Sequence, residues 1–258
     1  MPNYRNVLIK WLGGNGYNAK LLETLYPEHK TYYDPFLGGG TTLQCFQNSI
    51  VGDSNKTLID IWKLCKTDPE TLSKEYKERH NNLLQWGEGY YYEIRDRFNQ
   101  NQNPHDFLWL TRTCVNGLIR FNKQGKFNSP IHKGRNGIKP EKFNKTIYYW
   151  HGVLQNKQIT HGDYRETLST ASRGNFALLD PPYLRTPKGM YGQDFDFVEF
   201  YNILDQLNQK GVKWILTFDA ELPQGLSKRM ILGKRGLSPF SKLKQTGETQ
   251  QDFIYMNF

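Results

Sequence analysis

Three cysteines in 258 residues are too few and too scattered for a disulfide framework: Cys45, Cys65 and Cys114 are odd in number, and no two share the Cys-x-x-Cys spacing of a zinc site. A reducing compartment follows. Histidine is sparse too, six residues scattered singly, so no metal site is expected. No segment reaches the ~20 apolar residues that span a bilayer, and the opening MPNYRNVLIKWLGG holds too short an apolar stretch for a signal peptide. The expectation is a soluble, cytoplasmic protein with no membrane partner. Internal repeats, low-complexity tracts and Pro/Ser-rich linkers are also missing. A chain of this length buries a full core without staples, as one mixed domain or as one domain carrying a sizeable insertion. A monomer and a weak dimer are equally compatible with it.

Acidic residues are nearly absent from two stretches. Between Arg112 and Lys145 nine basic residues face a single Glu141, so this window carries most of the chain's net charge of +9. A second stretch, KRMILGKRGLSPFSKLK at 228–244, has six basic residues and no acidic one. Positive charge concentrated among Asn, Gly and aromatic residues suggests a surface for a polyanion, since each phosphate contacted releases condensed counterions. A solvated basic face without function is the competing reading.

Short strand-like runs alternate with helical stretches, the pattern of an α/β sheet. KTYYDPF (30–36), SIVGD (49–53), QITHGD (158–163), NFALLD (175–180) and GVKWILTF (211–218) are expected strands, with an amphipathic helix over 194–210 and a closing edge strand, DFIYMNF, at 252–258. Residues 56–150 differ in character, charged helix followed by turn residues. They are expected to form an inserted subdomain, leaving 1–55 and 151–258 as the sheet domain.

Two motifs carry chemistry. DPFLGGGTT (34–42) follows the first strand, and a helix is expected from Thr41. Its glycines let the backbone turn sharply and approach a ligand. Its spacing matches neither a P-loop nor the dinucleotide fingerprint, which needs glycine where Leu43 stands. Asp53, nineteen positions past Asp34 at the end of the next strand, stands where a doubly wound sheet places its ribose acceptor. An adenosine cofactor without a pyrophosphate fits, and S-adenosyl-L-methionine is such a cofactor. The second motif is DPPY (180–183). Asp180 follows a buried strand and can be a turn former, a metal ligand or a catalytic group. In the catalytic reading its carboxylate and the Pro181 carbonyl accept both N–H bonds of an exocyclic amine, leaving the nitrogen lone pair free to attack a methyl group. Tyr183 offers a ring on which a base can stack.

With KWLGG (10–14), DPFLGGG (34–40), NGLIRFNKQGKFNSP (116–130) and DPPY (180–183) in this order, the chain resembles the Dam-type adenine-N6 DNA methyltransferases. The resemblance covers most of the chain, and DPPY is the most specific of the four. It implies a Rossmann-like doubly wound fold with an inserted, mainly helical target-recognition subdomain bearing a β-hairpin, and double-stranded DNA as partner. It further implies that Trp11, Asp34, Phe36, Gly38, Gly40, Asp53 and Asp180 line the cofactor pocket, with Asp163 and Tyr164 of GDY beside the cofactor adenine. Asp180, Pro181, Pro182 and Tyr183 become the catalytic motif. Asn116, Arg120, Asn122 and Pro130 lie on or beside the hairpin, with Lys126 and Lys133 as phosphate neighbours; Gly125 supplies the turn, and Arg120 has the fork for guanine O6/N7.

The chain departs from the family pattern at three places. Asn15 replaces a lysine, with Asn18 or Lys20 as substitutes; Val115 replaces an aromatic; and PIHKGR (130–135) replaces a PFGRY-like ending. The retained Arg120 points to partial overlap with GATC recognition. Methylation of RNA adenine or of cytosine N4, and a DNA-binding homologue without turnover, are the alternatives.

Overall fold

The computed structural model describes residues 2, 4, 6–11, 16, 18–184, 195–234 and 251–258. Its centre is a seven-stranded sheet: β1 (Tyr32–Asp34), β2 (Ser49–Asp53), β3 (Lys157–His161), β4 (Phe176–Leu179), β5 (Lys213–Phe218), β6 (Arg229–Lys234) and β7 (Gln251–Met256). Their spatial order is β3-β2-β1-β4-β5-β7-β6. The first five are parallel, while β7 runs antiparallel to β5 and β6 antiparallel to β7. Strands β1 and β4 are buried throughout, as parallel strands covered on both faces must be. Alternate residues feed two cores. Tyr32, Phe176, Leu178 and Ile215 face one side, and Tyr33, Ala177, Leu179, Trp214 and Leu216 face the other.

Helices cover both faces. After α1 (Ala19–Glu23), five helices lie between β2 and β3 in the chain: α2 (Lys56–Thr67), α3 (Pro69–Trp86), α4 (Glu88–Asn101), α5 (Pro104–Thr113) and α6 (Pro140–Leu154). α7 (Tyr164–Leu168) and α8 (Phe197–Gln209) follow β3 and β4. Their starts are written locally. Asn55, Asp68, Asn103, Asp163 and Asp196 each accept a hydrogen bond from a first-turn N–H, and prolines occupy the first turn of α3, α5 and α6. The core on the first face runs without a break from the sheet through Trp62 and Trp150 to Tyr76, Phe98, Phe107 and Trp109.

Three expectations are corrected. The last strand is not an edge: β7 lies between β5 and β6, and β6 forms the edge. Strand β6 was hidden in the basic stretch because only alternate residues face inward; Met230 and Leu232 are about half exposed, while Ile231 packs on the core. The helix expected from Thr41 is a single 3-10 turn, Leu43–Cys45, because Phe46 returns to extended backbone and stacks on Tyr32 at 3.6 Å. The expected hairpin at 116–130 is a loop with two isolated antiparallel bridges, Cys114 to Ile131 and Phe121 to Phe127, in place of a continuous ladder. Its connecting turn is tight, with the Gly125 N–H donating to the Asn122 carbonyl.

The chain moves outward from β1 through β2 to β3, then returns to place β4 on the other side of β1. That reversal is a topological switch point, the place where open α/β sheets leave a crevice beyond the carboxyl ends of their strands. Asp34 ends β1 and Asp180 follows β4, so both motifs open onto it.

Candidate active site

The crevice is a cleft of about 290 Å³ lined by Pro35, Phe36, Asp53, Ser54, Asp163, Tyr164, Arg165, Pro182, Phe195, Asp196 and Glu199. Aromatic rings form one wall. Phe36 stacks on Tyr164 at 5.5 Å, and Phe195 lies 5.4 Å from Tyr164. The remainder is acidic, four carboxylates against one guanidinium, and that guanidinium is paired with Asp163 at 2.7 Å. Burial alone would raise Asp163, but hydrogen bonds from the Arg165 side chain and backbone outweigh it and hold the carboxyl below its usual range. Burial pushes the Tyr164 hydroxyl up to about 12.

The glycine loop is shaped from behind by two tryptophans. Gly38 and Gly40 have φ of +48° and +61°, and a Cβ on either would lie 2.9 Å from Trp11 Cδ1 or 2.8 Å from Trp62 Cζ2. Trp62 Nε1 donates to the Gly38 carbonyl at 3.1 Å. From the other side, the Gly38 N–H donates to Asp53 Oδ2 at 3.0 Å, and Asn55 N–H donates to Oδ1 at 2.9 Å. Burial raises Asp53 against the pull of these N–H groups. Asp34 is buried more deeply. Tyr32 and the Phe36 N–H donate to it, yet burial, with Asp53 nearby, lifts its carboxyl to about 7.

The DPPY turn borders the same crevice. Asp180 Oδ1 accepts a hydrogen bond from Thr217 Oγ1 at 2.5 Å, which ties it to the end of β5. Pro181 is buried, Pro182 lines the cleft, and Tyr183, half-buried, donates its hydroxyl to Asp252 on β7 at 3.2 Å. Of the expected cofactor residues, Phe36, Asp53, Asp163 and Tyr164 meet on the cleft wall. Gly38, Gly40 and the Trp11 ring packed on Gly38 are not among the residues that line the cleft, and neither are Asp34, which ends β1, and Asp180, which follows β4. Asn15 lies outside the described residues. Asn18 is buried against Gly233, and Lys20 is exposed on α1.

The expected DNA residues share one exposed loop. Asn116, at φ +54°, Arg120, Asn122, Lys126, Pro130 and Lys133 are all exposed. Arg120 Nε donates to Asn128 Oδ1 at 2.8 Å, which fixes its guanidinium on the opposite limb of the loop. Asn122 Oδ1 caps the turn, accepting from the N–H groups of Gln124 and Lys126 at 3.0 and 2.9 Å. Arg112 leaves the basic surface altogether: it is buried, with Nη2 donating to the Val7 carbonyl at 2.8 Å.

The profile of the D12 class of N6 adenine-specific DNA methyltransferases matches residues 11–231, from the tryptophan behind the glycine loop to β6. The chain belongs to this family. A type II methyltransferase of Methanocaldococcus jannaschii is 28% identical over 96% of both chains. A DNA N-6-adenine-methyltransferase of Escherichia phage P1 is 27% identical over 83% of this chain and 30% of its own length. A DNA adenine methylase of Vibrio cholerae is 28% identical over 69% of this chain and 65% of its own length.

For a D12 methyltransferase, two groups of residues went unread in the sequence. Phe195, Asp196 and Glu199 line the cleft, yet residues 194–199 read there only as the start of the helix expected over 194–210. Thr217 offered no signal, because its role comes from β5 lying beside β4.

Proposed function

We propose that this D12 methyltransferase transfers a methyl group from S-adenosyl-L-methionine to N6 of an adenine extruded from duplex DNA, at a site overlapping GATC. The observation that carries the reading is that Pro182 of the DPPY turn is a wall of the same cleft as Asp53, Asp163 and Tyr164. The turn that carries the proposed amine acceptors thereby borders the space proposed for a cation. The cleft fits the cofactor chemically: its rings suit a purine, and its excess of carboxylates suits a ligand bearing a sulfonium and an ammonium. When bound, S-adenosyl-L-methionine supplies an electrophilic methyl carbon.

The residues of this chain do the rest. Asp53, with Phe36 and Tyr164, holds the nucleoside, while Asp34 faces the charged end. Asp180 and the Pro181 carbonyl accept the two N6 hydrogens and direct the lone pair at the methyl carbon. No strong base is needed beforehand, since the methylated nitrogen loses its proton to water. Tyr183 stacks on the extruded base and offsets the few kcal/mol that flipping costs. Residues 1–55 and 151–258 act as the catalytic part and 56–150 as the target-recognition part, with Arg120 reading a guanine and Lys126 and Lys133 meeting phosphates.

The test is methyl transfer from labelled cofactor to duplex DNA, single-stranded DNA and RNA, by wild type and Asp180→Ala. Duplex DNA should be the substrate, and the variant should lose at least about 10²-fold in kcat while keeping its DNA affinity. Preference for RNA, or an active Asp180→Ala, would refute the proposal.

A further inference from the structure

The target loop has no continuous ladder of its own, and the bonds between its limbs are supplemented from outside the loop. That support comes from α4. Asn99, near the end of α4, presents its side-chain amide to the backbone of Phe127: Nδ2 donates to the Phe127 carbonyl at 3.0 Å, and Oδ1 accepts the Phe127 N–H at 2.7 Å. A side chain here pairs with both backbone groups of one residue, as a neighbouring strand would. Tyr91, two turns earlier on α4, donates its hydroxyl to the Ser129 carbonyl at 2.9 Å. Between them the Phe127 ring is 1% exposed, packed edge-on against Phe98 and Phe107 at 6.1 Å each.

Asn128 lies between these anchors, and its Oδ1 is the acceptor that fixes the Arg120 guanidinium. The Asn128 N–H returns a bond to the Arg120 carbonyl at 2.9 Å. Helix α4 is itself immobilised two residues before Asn99. Arg97 makes two hydrogen bonds to Asp106 on α5, at 2.8 and 2.6 Å, and Arg79 on α3 reaches the same carboxylate at 2.7 Å.

We infer that Asn99 is a positioning residue for sequence discrimination: it splints the limb of the target loop that aims Arg120, without touching DNA itself. The inference rests on the proposed function, through the assignment of Arg120 as a base reader. An arginine fork discriminates only when both donors meet their acceptors together, so a loose limb loses specificity before it loses affinity.

The experiment compares kcat/KM on matched duplexes with that on single-mismatch duplexes, once the wild-type enzyme's modified site is known. In Asn99→Ala the ratio of the two should fall about tenfold, for two lost hydrogen bonds, with cofactor affinity unchanged. Asn99→Asp keeps the acceptor for the Phe127 N–H and should fall between wild type and Asn99→Ala. Tyr91→Phe, which removes only the bond to Ser129, should shift the ratio in the same direction by less, and these two variants decide the matter if Asn99→Ala fails to fold. An unchanged ratio, or equal losses on matched and mismatched DNA, would overturn the splint while leaving methyl transfer intact. A wild-type chain that methylates no DNA would overturn the underlying reading and the splint with it.

Discussion

Asp34 is sensitive to a change of pH near neutrality, because burial has lifted its carboxyl to about 7. A raised acid binds its proton in the folded state where the unfolded chain has already lost it, so stability falls as pH rises from the ordinary carboxylate range to about 7. A bound cation reverses the preference by favouring the ionised form. Affinity for S-adenosyl-L-methionine should therefore climb between pH 6 and about 8 with proton release, which calorimetry in buffers of different ionisation enthalpy detects. Asp34→Asn should bind the cofactor more weakly and show neither the climb nor the proton. Asp53 shares the crevice and burial raises it too, but two backbone N–H groups donate to its carboxylate and pull it the other way.

Among elements, α3, α4 and α5 are joined by one buried carboxylate. Asp106 is fully buried between Arg79 and Arg97, and Glu75 holds Arg79 from the far side at 2.6 Å. Removing the centre strands two guanidinium groups, so Asp106→Ala should cost about 3–5 kcal/mol in chemical denaturation. Arg97→Ala should cost less, since that side chain is partly exposed and Arg79 remains as partner. This network was invisible in the sequence, because Asp106, Arg79 and Arg97 meet only when α3, α4 and α5 pack together. What was legible follows a rule. The five parallel strands and the amphipathic α8 announce themselves because burial on a fixed period needs a fixed pattern of side chains. Strand β6 and the position of β7 did not, because antiparallel pairing at a sheet's edge is chosen by the partner. The site divided in the same way. Asp34, Phe36, Asp53, Asp163, Tyr164 and DPPY sit at strand ends or in motifs, whereas Phe195, Glu199 and Thr217 enter by spatial neighbourhood alone.

For the whole molecule, charge is sorted by surface. The cleft is acidic, while the target loop carries Arg120, Lys123, Lys126, Lys133 and Arg135, all exposed. The two ligands proposed, a cation and a polyanion, are thus separated by sign. Raising salt should weaken DNA binding steeply, and Lys126→Ala and Lys133→Ala should each lower the slope of log affinity against log salt by about one, on matched and mismatched duplexes alike. Arg120→Ala should instead cost about 1–3 kcal/mol of discrimination at one base pair. Fluorescence titrations across a salt series check both, and an Arg120→Ala that weakens every duplex equally would make that residue another phosphate contact.

The position of β7 also sets an order in time. Strands β5 and β6 precede β7 in the chain but do not pair with each other; residues 251–256 lie between them and pair with both. The Asp252 carboxylate that receives the Tyr183 hydroxyl arrives in that same final strand. During synthesis, then, the Asp180 bond to Thr217 on β5 has both its partners before the Tyr183 bond to Asp252 does, and the DPPY turn gains its second anchor only with β7.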